Sequence, residues 1–277
     1  MEAVYAVLEK LIPFSFIEHD FMKNALIAVV LIAPLFGVLG TMAVNNSMAF
    51  FSDALGHSAL TGIALGVLFG LKNQLVSMLA FGVLLSLFIT KVKRAKTASA
   101  DTIIGVFSSA AVALGLFILS VGGGFNRYSQ YLIGDILSIT PLEIVMLAVV
   151  FVVVFVVWAL IWNKLLLVSI NTDLAASRGV RVALVENVFV VLVAVVVMLS
   201  IKWIGLLLIN SLLILPAAAS RNIAKNTKQY LACSVLLALF SCVAGLVLSY
   251  YVNASAGSTI VLVCAGVFFA TYFFRKK

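Results

Sequence analysis

The stretch Phe51-Ser-Asp53-Ala-Leu-Gly-His57-Ser sets a carboxylate and an imidazole four residues apart in a run that is otherwise apolar. On a helix, residues i and i+4 stand one above the other on the same face. One carboxylate oxygen and one imidazole nitrogen on one face suit a divalent transition metal. An ionisable group inside a membrane span costs roughly 2.5–3.5 kcal/mol on insertion scales, so such groups face a pathway or a partner. The competing reading is a helix-end acid beside a hydrogen-bonded histidine. His19 and His57 are the only histidines, which excludes an enzyme needing His on several helices. The patterns G-x-x-x-x-G-K-[ST], H-E-x-x-H and G-x-S-x-G are absent. The chain therefore lacks the core residues of a phosphate-loop ATPase, a membrane metalloprotease and a serine hydrolase.

The elements that must position this pair are membrane helices. Of 277 residues, 64% are hydrophobic and 10% charged, far outside soluble usage. Apolar runs near 20 residues predict about nine spans: Asn24–Val44, Ala49–Leu71, Gln74–Thr90, Thr102–Val121, Leu142–Trp162, Leu184–Ile201, Trp203–Ala219, Tyr230–Val252 and Ser258–Phe274. The sixth and seventh are short and meet at Lys202-Trp203, so eight spans plus a half-helix is the alternative. The expected fold class is an all-α polytopic membrane protein of eight to nine transmembrane helices, forming one domain over residues 1–277.

Residues 1–23 carry Glu2, Glu9, Glu18 and Asp20, which is not a cleavable signal. The net charge of +8 does not indicate nucleic-acid binding, because the basic residues cluster in short loops. Lys91, Lys93, Arg94 and Lys96 follow the third span, and Lys164, Arg178 and Arg181 the fifth. Arg221, Lys225 and Lys228 follow the seventh, and Arg275-Lys276-Lys277 ends the chain. With nine spans all four groups share one side, which is then cytoplasmic, and the C-terminus with it. Residues 1–23 are external, with Glu18-His19-Asp20 at the outer mouth read as a solvated surface that docks a partner or does nothing, a relay of metal being the alternative. Cys233, Cys242 and Cys264 form no C-x-x-C pair and read as membrane packing.

Ser58, Gly62, Gly66 and Gly70 recur every four residues along the second span. Such a small-residue ridge lets another helix approach closely. Residues 121–141 form a longer external connection containing Gly122-Gly123-Gly124, Arg127 and Asp135, with a re-entrant or interfacial piece expected near Tyr131–Leu137. The cytoplasmic loop 163–183 includes Ser-Ile-Asn171-Thr-Asp173-Leu174-Ala175-Ala-Ser-Arg178-Gly179. Asn171 or Thr172 could cap a short helix starting at Asp173, and Gly179 could end it. Such a helix is a natural docking knob for a soluble partner.

Several stretches together resemble the integral-membrane permease of zinc/manganese-type ABC importers. They are Phe21-Met-Lys-Asn24-Ala-Leu, Met48-Ala-Phe-Phe-Ser-Asp53-Ala-Leu-Gly-His57-Ser, Asp101-Thr-Ile-Ile-Gly105, Tyr131-Leu-Ile-Gly134-Asp135 through Pro141, and Ile204-Gly205 through Pro216. They occur in the expected order, and Asn45-Asn46 stand where relatives carry basic residues. The resemblance implies a type II importer-like permease fold and a homodimer. It implies two cytoplasmic ABC ATPase subunits and an external solute-binding protein as partners, in a bacterial cytoplasmic membrane. Asp53 and His57 would be the pathway ligands for transported zinc or manganese, with no permanently bound cofactor and no enzyme activity in this chain. Asp173, Leu174, Ala175 and Gly179 would touch the ATPase. Imidazole leans the choice slightly to zinc, while carboxylate suits manganese. The alternatives are a stand-alone secondary metal transporter, which predicts internal repeats, and a siderophore- or cobalamin-type permease.

Overall fold

The structure, a computed structural model, describes Tyr5, Glu9, Ile17 and residues 19–95, 97–121 and 134–273. The secondary structure among them is helical: α1 Asp20–Asn45, α2 Phe51–Leu68, α3 Gln74–Arg94, α4 Ala100–Val121, a 3-10 turn Ile136–Ser138, α5 Pro141–Ile170, α6 Thr172–Ser177, α7 Val182–Ile204, α8 Leu206–Ile223, α9 Thr227–Val252 and α10 Ala256–Phe273. Nine of these helices, all but α6, are long and apolar enough to cross a membrane. The glycine triplet, Arg127, Glu18, Lys96 and the C-terminal Arg275-Lys276-Lys277 lie outside the described residues.

Two boundaries differ from the sequence expectation. The break between the sixth and seventh spans falls at Gly205, not at Lys202-Trp203, because both of those residues remain in α7. Gly205 has φ 78° and ψ 160°, a region open essentially to glycine alone. The fifth span does not stop at Trp162. Its 30 residues run on to Ile170, about 45 Å of helix against a hydrocarbon core of about 30 Å. Residues 163–170, expected as loop, are helix, and the connection narrows to Asn171–Arg181.

Chain contacts divide the protein into two compact units, each built from separate stretches of sequence. The first comprises residues 1–41, 135–153 and 211–277. Its helices meet through small residues. A Cβ on Gly40 would lie 2.0 Å from the Leu213 carbonyl oxygen, and one on Gly245 would lie 2.5 Å from Ile260 Cα. Hydroxyls then reach the backbone of neighbouring helices: Ser234 Oγ donates to the Gly37 carbonyl at 2.7 Å. Ser220 Oγ donates to the Tyr230 carbonyl at 2.6 Å. His19 stacks on Phe21 at 5.3 Å between ring centroids and stands 6.1 Å from Tyr250, while Asp20 pairs with Lys23 at 3.0 Å. Both side chains are exposed, so these two members of the triad lie at the protein surface with local partners.

The second unit comprises residues 42–134 and 154–210, and α2 is its central element, touching α3, α4 and α7. The ridge on α2 works as expected at Gly62 and Gly66. A Cβ on Gly62 would meet Met78 Cα at 2.6 Å, and one on Gly66 would meet Ser77 Oγ at 2.2 Å. Gly70 is not part of the ridge. The helix has ended at Leu68, and Gly70 has φ 66° with nothing within 4 Å of where a Cβ would stand. On another side of α2, Gly115 of α4 packs on Thr61, whose hydroxyl donates to the Ala111 carbonyl. At the basic end of α3, Arg94 Nε donates to Glu186 at 2.7 Å and its Nη2 donates to the Ala183 carbonyl at 2.7 Å and to Asn187 Oδ1. Three charge-assisted or polar bonds from one guanidinium tie α3 to the first turns of α7.

Candidate functional site

Asp53 lies in the first turn of α2 and His57 one turn later. Their neighbours Ser52, Ala54, Leu55, Gly56 and Ser58 are buried, whereas the Asp53 and His57 side chains are 43% and 46% exposed. The rest of this helix segment is committed to packing and these two groups are not. His57 Nε2 stands 3.5 Å from Asp53 Oδ1, close enough for ion pairing and too long for a strong hydrogen bond. Asp53 is nine residues before Gly62, about 13 Å along the helix at 1.5 Å per residue. Since Gly62 faces Met78 and the Asn46 carbonyl accepts from Lys93 Nζ at 3.1 Å, the pair falls between the two ends of α3.

A residue not singled out in the sequence completes the group. Asn210 Nδ2 donates to Asp53 Oδ1 at 2.6 Å. One turn before it on α8, Leu206 packs so closely on Gly56 that a Cβ there would sit 1.8 Å from Leu206 Cδ1. The bend that brings this end of α8 to α2 is Gly205. It is backed by Gly134 (φ 57°), where a Cβ would lie 2.0 Å from Gly205 N. A lone Asn inside an apolar run is the signal that could have found this residue, because a polar group in a span needs a partner.

Among the described residues no three His, Cys, Asp or Glu side chains gather into a metal-holding group. One copy of the chain thus brings two such donors, Asp53 and His57, to one place. A cavity of about 210 Å³ lies elsewhere, lined by Ile63, Asn73, Gln74, Leu75, Met78 and Lys202. Asp135 Oδ1 accepts from Leu137 N at 3.0 Å and caps the 3-10 turn.

The short helix in the loop after α5 is capped by Asn171, whose Oδ1 accepts from Asp173 N at 2.9 Å and Leu174 N at 3.0 Å. It therefore begins at Thr172, one residue earlier than expected. Gly179, at φ 76°, lies just beyond its C-terminal end, with Gly179 N donating to the Ala176 carbonyl at 2.9 Å and Val180 N to the Ala175 carbonyl at 3.0 Å. Ala175 is fully buried, while Asp173 and Leu174 are exposed. Asn171→Ala should cost this helix about 1 kcal/mol. Hydrogen exchange across residues 172–177 should quicken accordingly; unchanged exchange there would refute the cap.

These features define the class: a polytopic, all-α membrane protein with a polar group set on the central helix of one unit. The chain belongs to the ABC 3 transport family, whose profile matches residues 18–275. It is 32% identical over 261 residues to the manganese import system permease protein ScaB of Streptococcus gordonii, covering 94% of each chain. It is 28% identical to the high-affinity zinc uptake system membrane protein ZnuB of Haemophilus influenzae, covering 93% of this chain and 99% of that one. Among solved structures it is similar to PsaBC from Streptococcus pneumoniae in complex with Fab, at TM-score 0.79 and 28% identity, covering 100% of this chain and 97% of that one. The expected ABC-permease fold is borne out.

Proposed function

We propose that the chain is the permease subunit of an ABC importer carrying zinc or manganese across the bacterial cytoplasmic membrane. The observation that carries this reading is the half-exposed Asp53/His57 pair on an otherwise packed helix. The named relatives, one the permease protein of a manganese import system and one the membrane protein of a zinc uptake system, support it. Two donors per chain are too few to hold a metal alone. A second copy related by a two-fold axis would bring another Asp53 and His57 to the same axis, so the working unit is a homodimer. Residues 1–277 act as one permease domain, with 1–23 external and the C-terminus cytoplasmic, as the basic loops require.

Nothing in the chain hydrolyses ATP by a phosphate loop, so that step belongs to a cytoplasmic ABC ATPase partner, and the protein is not itself an enzyme. The helix at Asp173, Leu174 and Ala175, closed by Gly179, is the contact with that partner. Buried Ala175 seats it while Asp173 and Leu174 face outward. Rigid tilting of helices joined to it would open the pathway alternately to either side. An external solute-binding protein delivers the metal, which is cargo and not a resident cofactor.

The test is elemental analysis of metal-limited cells lacking other zinc and manganese uptake systems. Deleting this chain should lower one of the two metals, and the wild-type chain should restore it. Unchanged zinc and manganese would refute the reading and turn attention to a bulky chelate as cargo.

A further inference from the structure

The Asp53 carboxylate has a neighbour that this metal reading leaves without a role. Asn210 Nδ2 and His57 Nε2 converge on the same oxygen, Asp53 Oδ1, at 2.6 Å and 3.5 Å. The other end of that amide is unsatisfied: Asn210 Oδ1 is buried and has no hydrogen-bond partner. A buried acceptor left alone loses its hydration without recompense, and each such group calls for an explanation. The amide orientation is set by the carboxylate, which only accepts when ionised, so the NH2 must be the end that faces Asp53. An amide can donate to an anion through one atom and coordinate a cation through the other. The two ends exchange by rotation about χ2, which is broad in Asn.

We propose that Asn210 is a third side chain of the cation site. Its N–H holds Asp53 until a cation arrives, and its carbonyl oxygen then turns onto the cation as a ligand. This rests on the reading of Asp53 and His57 as pathway ligands. The added donor is a hard oxygen, so a set of carboxylate, amide and imidazole is shifted toward manganese. The same amide also aids release. Turning back, its N–H competes with the cation for Asp53, which keeps the site weak enough to let go. Gly205 and Gly134 serve this role indirectly, because their close contact places Asn210 against α2.

The experiment measures KM and maximal rate of radioactive manganese and zinc uptake in cells carrying the whole transporter. Wild type, Asn210→Leu, Asn210→Asp and Asp53→Asn are compared at matched membrane levels. Asn210→Leu should raise KM for manganese by about tenfold, the lower end for disturbing a metal site's surroundings, and for zinc by clearly less. An equal rise for both metals, or no rise, overturns the ligand role and leaves Asn210 a support for Asp53. Asn210→Asp is isosteric, keeps an oxygen donor and adds charge. It should lower KM and slow the maximal rate for whichever metal is carried, because capture tightens and release slows. A raised KM in that variant overturns the proposal even if leucine blocks assembly. If Asp53→Asn transports normally, the underlying site falls. If Asp53→Asn is inactive while both Asn210 variants match wild type, only the present proposal falls.

Discussion

Asp53→Asn should abolish metal uptake at limiting metal while leaving the amount of protein in the membrane unchanged. The substitution keeps the side chain's size and shape. It also keeps an oxygen for Asn210 Nδ2, now 2.6 Å from Asp53 Oδ1, so the contact between α8 and α2 persists. What it removes is the negative charge, which in the proposed function is the main attraction for a divalent cation at this point. Losing a mere outer-shell partner of a metal site costs about 10–100-fold. Losing one charged donor from each copy of the proposed homodimer should reach at least the upper end of that range. The check is initial uptake rate against metal concentration, with membrane content quantified in parallel. Uptake indistinguishable from wild type in both affinity and rate would remove Asp53 from the pathway.

Gly62→Leu should give the largest loss of stability. A Cβ on Gly62 meets Met78 Cα at 2.6 Å and Met78 N at 3.3 Å, all backbone, which cannot swing aside as a side chain can. Across the helix Thr61 is already pressed on Gly115, whose Cβ would lie 2.9 Å from Thr61 Cα, so α2 cannot retreat. Overpacking typically costs about 1–3 kcal/mol, and a leucine facing backbone on a helix held from two sides should cost at least about 3 kcal/mol. Loss of monodisperse protein in detergent on mild heating is the readout. Gly105 is the control, since a Cβ there has nothing within 4 Å, and Gly105→Ala should melt as wild type does. Equal melting of Gly62→Leu and wild type would refute the close contact between α2 and α3.

The two positions also show which features are legible in the sequence. The spacing of Asp53 and His57 is local, and helical periodicity alone puts them on one face. Gly62 and Gly66 are legible for the same reason, as a period of about four along one helix. Gly70 carries the same spacing but lies past the helix end, which the apolar pattern does not mark. The end of α5 is hidden because Leu165-Leu166-Leu167-Val168 prolong the apolar pattern past Lys164 without a breaker. The cap at Asn171 is legible, as is the left-handed glycine at 179, since both are matters of a few adjacent residues.

By itself the sequence determined the class of protein, its helices and the face on which an acid and a histidine meet. Those follow from hydropathy over about 20 residues and from backbone geometry over one turn. The tertiary structure alone decided that Asn210, 157 residues from Asp53, shares its carboxylate oxygen. It also decided which glycines are close contacts and which are helix ends. Such pairings depend on how helices distant in sequence pack, and packing is set by shape complementarity across many residues at once.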